Sequence, residues 1–318
     1  MRRFLVVLLL VVFMVFGLSK TIKVGINVFG MANFFARAIY EAMIDEVKKL
    51  GGEPIPTVTP DVSSRMNAIE DYISKGVDII IFSQGDVNMV APALKEAKEA
   101  GIILVSADAG YCEYIDAAVE SNNWVMGAMA GSALVNLING KGNVVMIYHD
   151  LGQMVRMRYK MFETILTEYP DIKIVSKFTY AWPGYFPDVK AKMEAVLQAH
   201  PNPGDIVGVF AVFDGAGVAA AQAIEEAGLS DYISIVGIDG DPQAYEVMKR
   251  GGPFKATVVQ DPEGIGRIAV QTAFKLYNGG KIDGKYIYVP ARLVTQQEVL
   301  SGEAKWWEEK VKKWQAMQ

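Results

Sequence analysis

From Thr21 onward the chain repeats one unit, in which a short β-branched run is followed by an amphipathic stretch ending in glycine. That alternation is the signature of a parallel sheet covered by helices, and it predicts an α/β fold. Strands are expected at Ile22–Val28, Pro54–Thr59, Val77–Ser83, Ile103–Asp108, Val144–Asp150, Lys173–Thr179, Ile206–Asp214, Ile233–Asp239, Lys255–Gln260 and Tyr286–Leu293. Between the first two lies a helix, Phe34–Leu50, whose Phe35, Ile39, Met43 and Val47 recur every four residues. Gly51, Gly76, Gly101, Gly140 and Gly228 stand where helix C-terminal caps belong.

The 318 residues supply enough apolar mass for two cores. No linker rich in Ser, Pro or Gly divides them, so a boundary between two units must be made by strands crossing from one to the other. Thirty-one Lys and Arg against 36 Asp and Glu give a net charge of −5 without long single-sign blocks. That argues against a nucleic-acid partner held by its phosphates. A single cysteine excludes an intramolecular disulfide framework, and Cys112 beside Tyr111 is expected to be a buried small residue. The two histidines, His149 and His200, lack partners at a metal-ligand spacing, and no metal or cofactor is expected.

Arg2 and Arg3 precede an uncharged run from Phe4 to Leu18, with Gly17 and Ser19 placed like the −3 and −1 positions of a signal-peptidase site. About fifteen apolar residues fall short of the roughly twenty that span a bilayer, so residues 1–19 read as a cleaved export signal.

An internal repeat points to two similar halves. Lys98-Glu-Ala-Gly101 leads into a strand ending at Asp108, and Glu225-Glu-Ala-Gly228 leads into one ending at Asp239. Ligand groups gather beyond the carboxyl ends of parallel strands, so these aspartates are candidates to face one another across a cleft. The plainer alternative is that each caps the following helix or sets a turn.

Ile22-Lys-Val-Gly-Ile-Asn27, Asn33-Phe34-Phe35, Leu104-Val-Ser-Ala-Asp108, Arg156-Met-Arg158, Val236-Gly-Ile-Asp239-Gly240 and Thr257-Val-Val-Gln260-Asp-Pro262 follow one another in the order seen in a known family. In these motifs the chain resembles the periplasmic sugar-binding proteins of ABC importers, typified by ribose-binding protein. The resemblance implies two similar doubly wound parallel-sheet lobes joined by a three-segment hinge, with the ligand in the cleft. It places the crossings near Ser121–Asn123, Gln260–Asp261 and Pro290–Leu293, hence one lobe of 20–122 with 261–290 and another of 123–260 with 291–318. It further implies a periplasmic, monomeric protein whose partners are a monosaccharide and the importer's membrane subunits.

A sugar ring has apolar C–H faces and an equator of hydroxyls, so its binder needs flat aromatic surfaces and forked polar groups. The candidates the chain offers are Asn27, Asn33, Phe34, Phe35, Asp108, Arg158, Trp182, Phe186, Phe213, Asp239 and Gln260, with Asn33 unaligned because Ala32-Asn33 stands where the family has Asn-Pro. Phe35 is in phase with Ile39 and Met43, which favours Phe34 as the contact, and Arg158 could instead be a surface residue paired with Glu163. The chain departs from ribose binders at Asp108-Ala109 and Phe213-Asp214, losing two polar forks and gaining an aromatic ring. These changes point to a ligand with fewer hydroxyl contacts at those edges, or one compensated by Asn27, Gln84 or Trp182; a pentose is expected, xylose first, with glucose, inositol or a furanose as alternatives.

Other readings are weaker. Gly215-Ala-Gly217 after a strand satisfies a relaxed dinucleotide pattern, but Asp214 immediately before it would oppose a pyrophosphate. No Gly-x-Ser-x-Gly and no Cys/His nucleophile arrangement appears, which weighs against the commonest hydrolases. A carboxylate pair such as Asp108 and Asp239 leaves a glycoside-processing enzyme as one alternative. A ligand-sensing regulator is another, and it would need a helix-turn-helix where the export signal stands. At the C-terminus Trp307, Val311 and Trp314 share one side of an expected helix, predicted to pack on the second lobe.

Overall fold

The computed structural model of the protein describes residues 20–304 and 309. The expected export signal lies outside these described residues, as does the expected tryptophan-rich C-terminal helix apart from Glu309. The chain first lays down β1 (Lys23–Phe29), β2 (Glu53–Thr59), β3 (Ile79–Ser83), β4 (Ile103–Ala107) and β5 (Ala117–Glu120). It continues with β6 (Gly142–Ile147), β7 (Ile172–Phe178), β8 (Gly208–Ala211), β9 (Ser234–Asp239) and β10 (Phe254–Val259), and ends with β11 (Tyr286–Tyr288) and β12 (Arg292–Thr295).

These strands form two six-stranded sheets, ordered β11-β5-β4-β3-β1-β2 and β12-β10-β9-β8-β6-β7. Position by position the second order repeats the first, with β4 and β9 both third. All pairings are parallel except that of β10 with β12. Central strands are buried throughout, as Ile79–Ser83 illustrates, because helices cover both faces. The edge strand β2 is half-buried or exposed up to Thr59 and carries Pro54 and Pro56, which an edge tolerates because no further strand needs their missing N–H groups.

The chain passes between the sheets three times: after Glu120, after Val259 and after Tyr288. The expected single strand Tyr286–Leu293 is therefore two short strands in different sheets. Sequence analysis also left β5 unassigned, because four residues ending in a glutamate carry little periodicity. The helix Phe34–Lys49 matches its expectation to one residue, and all five glycines expected at helix ends adopt positive φ.

Gly217 matters for placing the site. A Cβ at Gly217 would lie 2.6 Å from the Phe254 ring, so this glycine lets the helix Asp214–Glu226 seat against its sheet. Asp214 is fully buried and accepts hydrogen bonds from the Gly240 and Asp241 amides and the Thr257 hydroxyl. The Gly-x-Gly segment thus serves packing and a structural carboxylate.

Candidate functional site

Strand ends from both sheets converge on one cavity of about 680 Å³, open mouth included. The first lobe contributes Asp108 just past β4, Gln84 past β3, Phe29 at the end of β1, and Asn33 and Phe35 at the start of the first helix. The second contributes Asp239 at the end of β9, Phe213 after β8, His149 after β6, and Tyr180 and Trp182 after β7. Arg158 reaches in from the helix Gln153–Leu166. That helix packs closely on Asn123–Leu137 because position 127 is glycine; a Cβ there would come within 2.5 Å of the Arg158 carbonyl oxygen.

Backbone strain marks the same place. Among the described residues four non-glycines have positive φ, and three of them line the cavity: Gln84 at 59°, Asp108 at 56° and Asp239 at 126°. Such conformations cost of order 1–3 kcal/mol each and persist where the surroundings impose them. Here the Gln84 amide donates to the Asp108 carbonyl at 3.2 Å, and the Gln260 amide donates to the Asp239 carbonyl at 3.2 Å.

The polar groups form two sets facing one another. In the second lobe, Arg158 donates through Nη1 to Asp239 Oδ1 at 3.0 Å and to the Val212 carbonyl, and through Nε to Asn123 Oδ1. Gln260 Nε2 donates to the same Asp239 oxygen at 2.8 Å. In the first lobe, Gln84 Nε2 donates to Asp108 Oδ2 at 3.2 Å, whereas buried Asp108 Oδ1 has no hydrogen-bond partner among the described residues. Gln260 Oε1 and Glu120 Oε2 are likewise buried and unpaired. Native proteins leave few such atoms, and of these three residues Asp108 lines the cavity.

Burial pushes the Asp108 carboxyl up to about 6, opposed by Arg158 and reinforced by Asp239. Glu120 is driven further, to about 8, by burial and by the neighbouring Asp108. Asp239 is also raised by burial, with the Arg158 charge and the Gln260 hydrogen bond holding it back.

The structure brings together Asn33, Phe35, Asp108, Arg158, Trp182, Phe213 and Asp239 on this cavity. Four other expected contacts are absent from its lining. Asn27 accepts from Arg65 Nε at 2.7 Å, and Arg65 in turn donates to the Gln84 and Ser83 carbonyls. Asn27 therefore acts through Arg65 on the strained Gln84. Phe186 lines a separate depression with Gln222 and Gln243. Phe34 is half-buried against the core of the second lobe, and the preference for Phe34 over Phe35 as a lining residue is reversed. Gln260 touches the cavity floor only through Asp239. Arg158 is 3% exposed and pairs with Asp239, while Glu163 pairs with Lys177, so the surface-pair alternative is excluded.

Sequence reasoning missed Phe29, Tyr180, Leu151, Met154 and Val155 as lining residues. Leu151 lies in the turn after β6, and Met154 and Val155 in the first turn of the helix Gln153–Leu166.

Comparison with known proteins decides the family. The model of the periplasmic binding protein domain matches residues 24–281. The chain belongs to the periplasmic binding protein family. Within it, the chain is 30% identical over 247 residues to a xylitol-binding protein of Mycolicibacterium smegmatis, covering 76% of this chain and 68% of that protein. It is 29% identical over 287 residues to the ribose import binding protein of Bacillus subtilis, covering 88% and 90%. An ABC transporter solute-binding protein from Agrobacterium vitis, solved with bound allitol, superposes with a TM-score of 0.84 at 30% identity, covering 90% of this chain and 99% of that one. These relatives place the chain among the ribose-binding-protein-like members, whose α/β lobes it shares.

In this periplasmic binding protein the lobes also meet beside the cavity. Arg156 Nη2 pairs with Asp86 Oδ2 across the cleft at 2.7 Å, and the Tyr111 amide donates to Gln153 Oε1 at 2.8 Å. A Cβ at Gly30 in the first lobe would lie 3.3 Å from the Trp182 indole nitrogen in the second. The lobes are therefore in a closed arrangement.

Proposed function

We propose that the chain is an exported, non-catalytic solute-binding protein that closes on a monosaccharide or related polyol and delivers it to an ABC importer. Residues 20–122 with 261–290, and 123–260 with the remainder, move as two lobes about the three crossings. The observation that carries this reading is the matched pair Asp108 and Asp239, set by strained backbone at equivalent strands of two sheets and facing one cavity. Asp108 Oδ1 is an acceptor on the cavity with no partner among the described residues, and hydroxyls are donors. Phe35, Trp182 and Phe213 supply flat apolar faces for C–H groups.

Five carbons fit the reading best, because the positions at Ala109 and Phe213 bring no polar fork to the rim. Pentoses, xylose included, and pentitols are the class to test. A thermal-shift screen of pentoses, hexoses and polyols reads this directly, since a ligand bound only by the folded form raises its melting temperature. A concentration-dependent rise with at least one sugar or polyol, without turnover of it, is expected. No rise with any of them, or conversion of a bound sugar to product, would overturn the proposal.

A further inference from the structure

The second lobe brings to the cavity a hydroxyl that its own fold does not use. Tyr180 lies just past β7, lines the cavity and is only 8% exposed. Neighbouring strands in the order β8-β6-β7 deliver Phe213, His149 and Tyr180 side by side. The Tyr180 ring centroid is 4.6 Å from that of His149 and 5.1 Å from that of Phe213. Both neighbours are themselves held: His149 Nδ1 accepts from the Leu151 amide at 3.0 Å, and the Tyr185 ring meets Phe213 edge-on at 5.0 Å. The Tyr180 ring is therefore fixed from two sides.

Among the described residues the Tyr180 hydroxyl makes no hydrogen bond. Burial pushes its pKa up, with the Arg158 charge opposing and the Asp239 and Tyr185 groups adding to the rise, so it is an O–H donor at neutral pH beside the Arg158–Asp239 pair. A phenol buried to this degree ordinarily has a partner, and the cavity is where one can reach it. Carboxylates accept and cannot donate, so Asp108 and Asp239 satisfy only the O–H half of a ligand hydroxyl, whose oxygen still needs a donor. Ribose binders have a polar fork where this chain has Phe213, and Tyr180 sets its ring against that same Phe213.

We infer that Tyr180 is a specificity-determining residue whose hydroxyl donates to one hydroxyl oxygen of the ligand, in place of the fork missing at Phe213. This rests on the sugar-binding reading above and deepens it, because it requires an oxygen at one defined position of the ligand. A ligand lacking that oxygen would strand the phenol without a partner in the closed cleft, and a site of this kind rejects such an analogue.

Tyr180→Phe removes one oxygen and keeps the ring. Calorimetric titration of the chain from residue 20 with D-ribose, D-xylose, ribitol and xylitol, alongside thermal melts without ligand, reads its effect. Because the hydroxyl has no internal partner, the variant should melt at the same or a higher temperature than the parent protein. It should bind the tightest of these ligands about tenfold more weakly. Single-deoxy analogues of that ligand, one for each hydroxyl, then locate the contact: one of them should bind parent and variant equally, while the others keep the difference. Equal affinity of parent and variant for the intact ligand would overturn the inference and leave the sugar-binding reading standing. A loss that every analogue shares would mark Tyr180 as structural and overturn it too. Binding of none of the four compounds by the parent protein would overturn both the inference and the five-carbon reading.

Discussion

Arg158 and Asp239 form an ion pair at 3.0 Å in which both side chains are at most one-tenth exposed, and both partners belong to the second lobe. The opposing Asp108 has no such partner within its own lobe beyond Gln84. The two carboxylates therefore have different tasks: one presents a paired fork, and the other offers an open acceptor.

Asp108→Asn should separate affinity from stability. It replaces a buried carboxylate by a neutral amide of the same shape, so the unliganded protein should unfold at the same or higher temperature at pH 8. Affinity should fall by ~1.5 kcal/mol or more, because a charge-assisted hydrogen bond from the ligand is lost. Unfolding curves and calorimetric titrations on one preparation read both. A variant that is weaker in both would mean that Asp108 is structural.

Arg158→Ala should do more than weaken binding. Removing one member of a buried pair leaves the other charged and uncompensated, at a cost of about 3–5 kcal/mol. The double variant Arg158→Met with Asp239→Leu should recover much of that stability without recovering affinity. Urea denaturation measures the first, and ligand titration the second. A single variant as stable as the parent would contradict the burial of this pair.

Glu120 makes stability depend on pH. Its carboxyl is raised from the ordinary 4.5 to about 8. The folded state thus holds this proton more tightly than the unfolded chain, so the contribution is fully present below 4.5 and is lost as pH rises through 8. Over that window stability should fall by up to ~1.4 kcal/mol per pH unit for this one proton. Glu120→Gln should reduce the slope, most clearly between pH 6 and 8, above the raised carboxyls of Asp108 and Asp241, as measured by thermal melts. A profile of equal slope in the variant would show that Glu120 does not hold the proton.

The pair Asp86–Arg156 lies across the cleft and off the cavity lining, with Arg156 partly exposed. Arg156→Gln should therefore leave the melting temperature of the unliganded protein nearly unchanged. It should weaken ligand binding by up to ~1 kcal/mol, since only the closed form contains the contact. Small-angle scattering should show a more open average shape for the variant without ligand. Identical scattering and affinity would remove this contact from the closing equilibrium.

The fold was legible because strand and helix periods persist over many residues and because the glycines at helix ends announce each turn. Asp108 and Asp239 were legible for a topological reason, as both follow a strand that the repeat placed in the same position. Asn27 misled because a polar residue inside a strand looks like a ligand group when its partner, Arg65, lies 38 residues away on another element. Phe34 and Phe35 were exchanged because helical phase fixes which face is buried, whereas the start of a helix can face core and cavity at once. Leu151, Met154 and Val155 were not legible as lining residues, since they meet the cavity only where the chain turns from β6 into the next helix.

The central claim is that two lobes grip one hydroxylated ligand through Asp108 and Asp239, and a crystal structure with any sugar or polyol that raises the melting temperature tests it most directly. The account predicts ligand hydroxyls within about 2.5–3.0 Å of Asp108 Oδ1 and of the Asp239 carboxylate in the same complex. A ligand bound elsewhere, or held by one lobe with either carboxylate left untouched, would contradict it.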